Sequence, residues 1–264
     1  MDAREFSVEM SKLPPPPEGS NPPHWTYWRG DLYHRALTEN PNGFYGWPCV
    51  YHTMIVNHWK EYMQLEHDEL PMRYRMNATL VNVPFYPLDL MNGSDMSFNF
   101  VHQLYHIYRF AQATGVNIAD MQTIVEFGGG YGAMRLMAHR LGFRGTYYIY
   151  DLPEFLLLQR FFLSSFDSGE TVFCNEVYQI PPENADLLIA CYSLSESDLE
   201  LREKFLGWTP YDNFLFLSSD KFAEYDNEDY FMDTINETRG LYKWHLQPIK
   251  HLPPASFYLF GSRK

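Results

Sequence analysis

The sequence predicts an α/β protein: a mostly parallel seven-stranded sheet with helices on both faces, ending in an antiparallel hairpin. Three observations carry this. From residue 123 onward, short apolar runs alternate with helical patterns, the rhythm of a parallel sheet. A glycine-rich turn, Gly128-Gly129-Gly130-Tyr131-Gly132, stands between the first strand-like run and a helix. The last two strand-like runs are separated by six residues, whereas a parallel crossover takes about a dozen.

Residues 1–23 are polar and proline-rich, with Pro14-Pro15-Pro16-Pro17 and Pro22-Pro23, and read as an extended, flexible arm. Residues 24–96 are aromatic and irregular, and read as a cap over a substrate region. Within them Tyr51 to Glu69 has helical spacing through Met54, Ile55, His58, Trp59, Tyr62 and Leu65. Residues 97–264 form the cofactor-binding domain. It opens on a helix from Ser97 to Thr114, with Phe98, Val101, Leu104, Tyr105, Tyr108 and Ala111 on one face and Gly115 as its stop.

The alternating part follows. Thr123 to Phe127 is the first strand; Ala133 to Leu141 is the helix after the glycines. Thr146 to Tyr150 is the second strand, ending at Asp151, and Pro153 to Phe166 the next helix. Thr171 to Cys174 and Ala185 to Cys191 are the third and fourth strands, Leu199 to Leu206 a helix, and Asn213 to Leu217 the fifth strand. Glu228 to Thr238 is helical, and Tyr242 to Ile249 with Ser256 to Gly261 make the hairpin.

Composition narrows the function. The chain has 264 residues, 45% of them hydrophobic and 17% aromatic, enough to bury a sizeable core. The net charge of −13 and the lack of clustered Lys and Arg speak against a nucleic-acid partner and against an anionic membrane surface. The three cysteines, Cys49, Cys174 and Cys191, form no CxxC pair, so neither a disulfide framework nor a zinc site is expected. The start of the chain has no signal-peptide pattern, and no run of about 18 apolar residues occurs. A cytoplasmic protein is the expectation.

The glycines leave room for a ligand to approach the backbone, and the following helix turns its free N–H groups toward it. Gly128, Gly130 and Ala133 satisfy G-x-G-x-x-A, and Asp151 follows Gly132 by 19 residues, where a ribose-binding carboxylate belongs. NAD and S-adenosylmethionine both fit that pattern. Glu126, two residues before the first glycine, favours the second. An acid there repels a pyrophosphate but suits a ligand bearing an ammonium and a sulfonium. The position of the turn near mid-chain and the terminal hairpin point the same way.

Val125-Glu126-Phe127-Gly128-Gly129-Gly130-Tyr131-Gly132 resembles motif I of class I methyltransferases. With Asp151-Leu152-Pro153 and Tyr192-Ser193-Leu194-Ser195-Glu196, the chain is similar to the sugar O-methyltransferase family over about residues 97–261. The resemblance implies a Rossmann-like class I methyltransferase fold, S-adenosylmethionine as cofactor, and a sugar hydroxyl as acceptor. It implies that Gly128, Gly129, Gly130 and Gly132 line the methionine part and that Glu126 orients the turn and the amino group. Asp151 would take the ribose hydroxyls, Leu152 would lie against the adenine, and Asn175 or Glu176 would face its amine. Cys191 and Tyr192 would lie under the reactive methyl.

Transfer to a hydroxyl calls for a general base. Glu196 is the first candidate. His102 and His106, one helical turn apart, can face one surface and hold a proton or a metal, although their plain reading is helix-surface histidines; His245 and Asp220 are outside candidates. No required metal is expected. The partner is a carbohydrate or other sugar-containing small molecule, with homo-oligomerisation left open. The competing readings are an NAD-dependent oxidoreductase and a catalytically inactive binding protein of the same fold.

Overall fold

Each strand of the sheet alternates its side chains between two cores, and this alternation sets the layers. The computed structural model describes residues 1–17, 23–55, 77, 97–181, 183–252 and 255–264. On β1 (Thr123–Phe127), Ile124 points into one core and Val125 and Phe127 into the other. The same division runs through β2 (Thr146–Tyr150), β3 (Thr171–Cys174), β4 (Ala185–Cys191) and β5 (Tyr211–Ser219). Both faces of the central strands are apolar because both are covered, as the alternating pattern predicts.

The main sheet has the order β3-β2-β1-β4-β5-β9-β8. β1 to β5 are parallel, while β9 (Ser256–Arg263) runs antiparallel between β5 and β8 (Tyr242–Ile249). The seven-stranded sheet with its terminal hairpin is as the sequence predicts, and no parallel sixth strand of the dinucleotide type replaces the hairpin. A two-residue ladder, β6 (Lys221–Phe222) with β7 (Tyr225–Asp226), follows β5. The strand order reverses between β1 and β4, so the crevice beyond their C-terminal ends is where an open α/β sheet holds its ligand.

The N-terminal region departs from expectation. Residues 3–12 are not an extended arm: α1 (Ala3–Lys12) is capped by Asp2, whose side chain accepts from Glu5 N–H, and buries Phe6 and Met10 completely. Phe6 and Met10 are four residues apart, one turn of helix, and the Phe6 ring lies 5.0 Å from that of Phe161. The described part of the aromatic stretch after it, up to residue 55, forms α2 (Pro23–Thr38) and then α3 (Pro48–Tyr51). Trp25, Trp28, Leu32 and Ala36 recur at helical spacing, a signal present in the sequence but obscured by the surrounding polar and aromatic residues. The Tyr51 to Glu69 pattern lies, from residue 56 on, outside the described residues.

The remaining helices follow the predicted order. α4 (Phe98–Thr114) is capped by Ser97 and stopped by Gly115 at φ 76°. α5 (Ala133–Arg140) follows the glycine turn, α6 (Pro153–Leu163) follows Asp151, α7 (Leu199–Trp208) is capped by Asp198, and α8 (Asn227–Thr238) by Asp226. Bidentate pairing of Arg29 Nε and Nη2 with Glu154, at 3.1 and 3.0 Å, ties α2 to α6. Among the described residues no helix is long and apolar enough to cross a membrane.

Candidate active site

A cavity of about 340 Å³ opens beyond the C-terminal ends of β1, β2 and β4. Its floor is the glycine turn. Gly128 adopts φ 76° and donates its N–H to Tyr150 O at 2.8 Å. A Cβ there would lie 2.3 Å from that of Ser193, so only glycine lets the turn pass beneath the loop after β4. Ser193 in turn hydrogen-bonds Phe127 O. Gly129 is closed off by Ile149, whose Cγ2 would stand 2.6 Å from an added Cβ.

Asp151 holds the turn from the end of β2. Its Oδ2 accepts from Gly129 N–H at 2.9 Å and from Gln159 Nε2 at 2.7 Å, and its Oδ1 accepts from Leu152 N–H at 2.8 Å. Gln159 also donates to Gly130 O at 3.0 Å, so α6 braces both the acid and the turn. Burial pushes the Asp151 carboxyl up to about 7, against the opposing pull of these hydrogen bonds. Glu126 is buried beneath the glycines and accepts from Tyr147 Oη at 3.0 Å. Burial raises its carboxyl to about 8, with nearby Asp151 adding to the rise and buried Arg135 opposing it. Two acids thus sit around one glycine turn, both held above the ordinary carboxylate range. That environment favours a cationic ligand, which would restore their charge.

The loop after β4 forms a second wall. Tyr192 has φ 65°, a left-handed conformation that is rare for a bulky side chain and concentrates at functional sites. Its N–H is held by Leu217 O at 2.7 Å and its hydroxyl shares a hydrogen bond with Ser256 Oγ at 3.1 Å. Glu196 follows, its carboxyl raised by burial to about 7 although Trp25 Nε1–H donates to it at 3.2 Å. The carbonyls on both sides of Glu196, those of Ser195 and Ser197, accept from buried Arg202 at 2.6 and 3.0 Å. The Arg202 guanidinium lies against the rings of Tyr225 and Tyr230 and also donates to Asn227 Oδ1 at 2.9 Å.

Glu126, Gly128, Gly129, Gly130, Asp151, Leu152, Asn175, Cys191, Tyr192, Glu196 and His102 all line this one cavity. Other sequence candidates do not. Gly132, at φ 101°, starts α5 and packs against Leu163. Glu176 is exposed and forms a capping box with Gln179 around the short turn Val177–Gln179. His245 lies on β8 opposite Phe260, with a buried Nε2 that has no hydrogen-bond partner. Asp220 also stands off the cavity, where its carbonyl receives Asn227 N–H. The plain reading of His102 and His106 as surface histidines is corrected: both are buried, because α4 packs against α5 and the sheet. Sequence reasoning missed Trp25 and Arg29, which line the cavity, and Gln159 and Ser193, which meet the turn, all brought there by tertiary packing. Among the described residues no group of three or more His, Cys, Asp or Glu side chains could hold a metal ion.

The parallel five-strand run, the reversed central order and the inserted antiparallel strand define a Rossmann-like class I methyltransferase fold. No family model matches the chain, and no curated protein matches it. Among solved structures it is similar to the 16S rRNA methylase ArmA, at 15% identity and TM-score 0.45 over 74% of this chain and 100% of that one. It is similar to the mitomycin 7-O-methyltransferase MmcR, at 16% identity and TM-score 0.39 over 79% of this chain and 68% of that one. A third is the glycopeptide N-methyltransferase MtfA in complex with S-adenosyl-L-homocysteine, at 11% identity and TM-score 0.46 over 60% of this chain and 88% of that one. At such identities the likeness is one of fold. One expectation is corrected here. Nucleic acid was set aside as a partner on net charge, yet the similar structures include an rRNA methylase. A net charge averages over the whole surface and does not report on the patch beside one cavity.

Proposed function

We propose that this chain is an S-adenosylmethionine-dependent O-methyltransferase acting on a hydroxyl of a sugar-containing small molecule. The observation that carries the cofactor is the pair Glu126 and Asp151 around Gly128–Gly130, a buried and a half-buried carboxyl beside a turn where a side chain would clash. The residues present suit the cofactor. Glu126 suits the ammonium, Asp151 the ribose hydroxyls, Leu152 the adenine face, and Asn175 its amine. When bound, the cofactor would supply an electrophilic methyl to the acceptor oxygen, and a base of the chain would take the hydroxyl proton.

The chain's own residues orient the acceptor and take the proton. The lining includes the indole of Trp25 and the amides of Asn99 and Gln103, an aromatic and polar combination of the kind that suits a polyhydroxylated ring. The resemblance at Tyr192 to Glu196 supports the same acceptor class. Glu196 and His102 are the base candidates from the sequence that line the cavity. A carboxyl held near neutrality suits a general base at working pH.

Calorimetry with S-adenosylhomocysteine, followed by turnover against a panel of sugar-containing acceptors, tests the reading. Binding should be present in the wild type and lost in Asp151→Ala. Absence of binding in the wild type would sink the cofactor assignment, and binding without methylation of any sugar would sink the acceptor class.

A further inference from the structure

Asp151 meets the cavity with most of its hydrogen-bonding capacity already occupied. A carboxylate offers about four lone-pair positions, two on each oxygen. On Oδ2 both are taken: Gly129 N–H donates at 2.9 Å and Gln159 Nε2 at 2.7 Å. On Oδ1 one is taken, by Leu152 N–H at 2.8 Å. Among the described residues no donor meets the remaining position, which is also on Oδ1.

The two donors on Oδ2 are fixed from behind. Gln159 is fully buried in α6, and its nitrogen donates to Gly130 O at 3.0 Å as well. Its Oε1 is buried with no partner among the described residues. A buried carbonyl without a donor is disfavoured, so the amide is held there by its nitrogen alone. Gly129 is buried too, closed in by Ile149 and by Gln159 itself. Withdrawing either donor from Asp151 would leave an N–H without that acceptor inside the fold.

We propose that Gln159 is a positioning residue that restricts Asp151 to one of the two ribose hydroxyls. The inference rests on the cavity holding S-adenosylmethionine. A ribose presents two neighbouring hydroxyls, and a carboxylate with an open position on each oxygen can take both. Here the Gln159 amide holds the Oδ2 position. One hydroxyl therefore donates to Oδ1, and the other makes no bond to Asp151. Gln159 does not line the cavity, so it acts through the carboxylate. The consequence is a one-sided specificity: the chain rejects a cofactor lacking one hydroxyl and tolerates a cofactor lacking the other.

The test is calorimetry on the full chain with S-adenosylhomocysteine and its 2′-deoxy and 3′-deoxy analogues. It is done at pH 8, above the value of about 7 to which burial raises the Asp151 carboxyl. The readout is each analogue's affinity relative to the parent within one protein, a ratio that a general loosening of the fold does not move. In the wild type one analogue should bind about tenfold weaker or worse, since the lost bond is to a charged group, and the other within about threefold of the parent. Gln159→Met keeps the length of the side chain and removes the N–H donor. Oδ2 then gains an open position, and the tolerated analogue should also become about tenfold weaker than the parent. An unchanged pattern in Gln159→Met would overturn the proposal. So would losses of about tenfold for both analogues in the wild type, or for neither, which keeps the test decisive if the variant does not fold. Failure of the parent to bind the wild type would sink the cofactor reading and the proposal together, whereas parent binding with equal losses would sink the proposal alone.

Discussion

Trp25 of α2 donates its indole N–H to the Glu196 carboxylate across 171 residues of sequence, at 3.2 Å. This bond ties α2 to the loop that follows β4. The same indole meets Phe155 of α6 edge-on, with centroids 5.8 Å apart. Trp25→Phe keeps the packing and removes the donor. The Glu196 carboxyl should then rise further, since the indole now opposes the effect of burial. Affinity for S-adenosylhomocysteine should fall by about tenfold or more, since one hydrogen bond to a charged group contributes about 1.5–3 kcal/mol. Carboxyl ¹³C titration and calorimetry read the two effects, and an unmoved Glu196 titration would count against the coupling.

Gly128 and Ser193 interlock, and that predicts a rescue. Gly128→Ala adds a Cβ 2.3 Å from Ser193 Cβ at φ 76°. It should cost about 2–4 kcal/mol in strain and overpacking and abolish S-adenosylhomocysteine binding. Adding Ser193→Gly should recover part of the stability. Gly43→Ala, where an added Cβ meets nothing within 4 Å, is the control and should stay within about 0.5 kcal/mol. Denaturant unfolding measures all three.

Glu126, Asp151 and Glu196 predict a pH dependence with a definite sign. Burial raises their carboxyls to about 8, 7 and 7. A carboxyl raised on folding adds stability that is complete below its unfolded value, near 4, and is lost as pH rises through the folded value. The ligand-free fold should therefore be less stable at pH 8 than at pH 5 on account of these groups. A cationic ligand favours the charged forms, so S-adenosylmethionine should bind tighter as pH rises from 6 to 8 and release protons. Calorimetry in buffers of different ionisation enthalpy detects the release; proton uptake would contradict the assignment.

Arg202 holds the carbonyls of Ser195 and Ser197 on either side of Glu196. Arg202→Met would leave both carbonyls without their donors inside the fold. A loss of about 2–4 kcal/mol follows from orphaning buried polar groups. Arg202→Lys retains charge but not the planar fork, and should recover little. Equilibrium unfolding checks the order of the variants; equal stability of Arg202→Met and the wild type would refute it.

Phe6 of α1 belongs to the main core, so Phe6→Ala should destabilise the whole fold by about 3–5 kcal/mol. A flexible arm would give no change in the melting curve.

The sequence alone determined the alternating strands and helices, the parallel sheet with its terminal hairpin, and the cavity floor of Glu126, Gly128–Gly130 and Asp151. These are local properties. Apolar periodicity, glycine at positive φ and an acid at the end of a strand are each legible within a few residues. α1 and α2 were less legible because the polar and proline-rich composition around them masks a short apolar stripe: Phe6 with Met10, and Trp25 with Trp28, Leu32 and Ala36. Only tertiary structure decided that Trp25 reaches Glu196, that Gln159 braces Asp151 and that His106 stands between His102 and Tyr258. It also set His245, Glu176 and Gly132 away from the cavity. The physical reason is common to these cases: a hydrogen bond across 171 or 152 residues is set by how helices pack on a sheet. Sequence periodicity specifies which face of a helix is buried, and not which residue of a distant strand it meets.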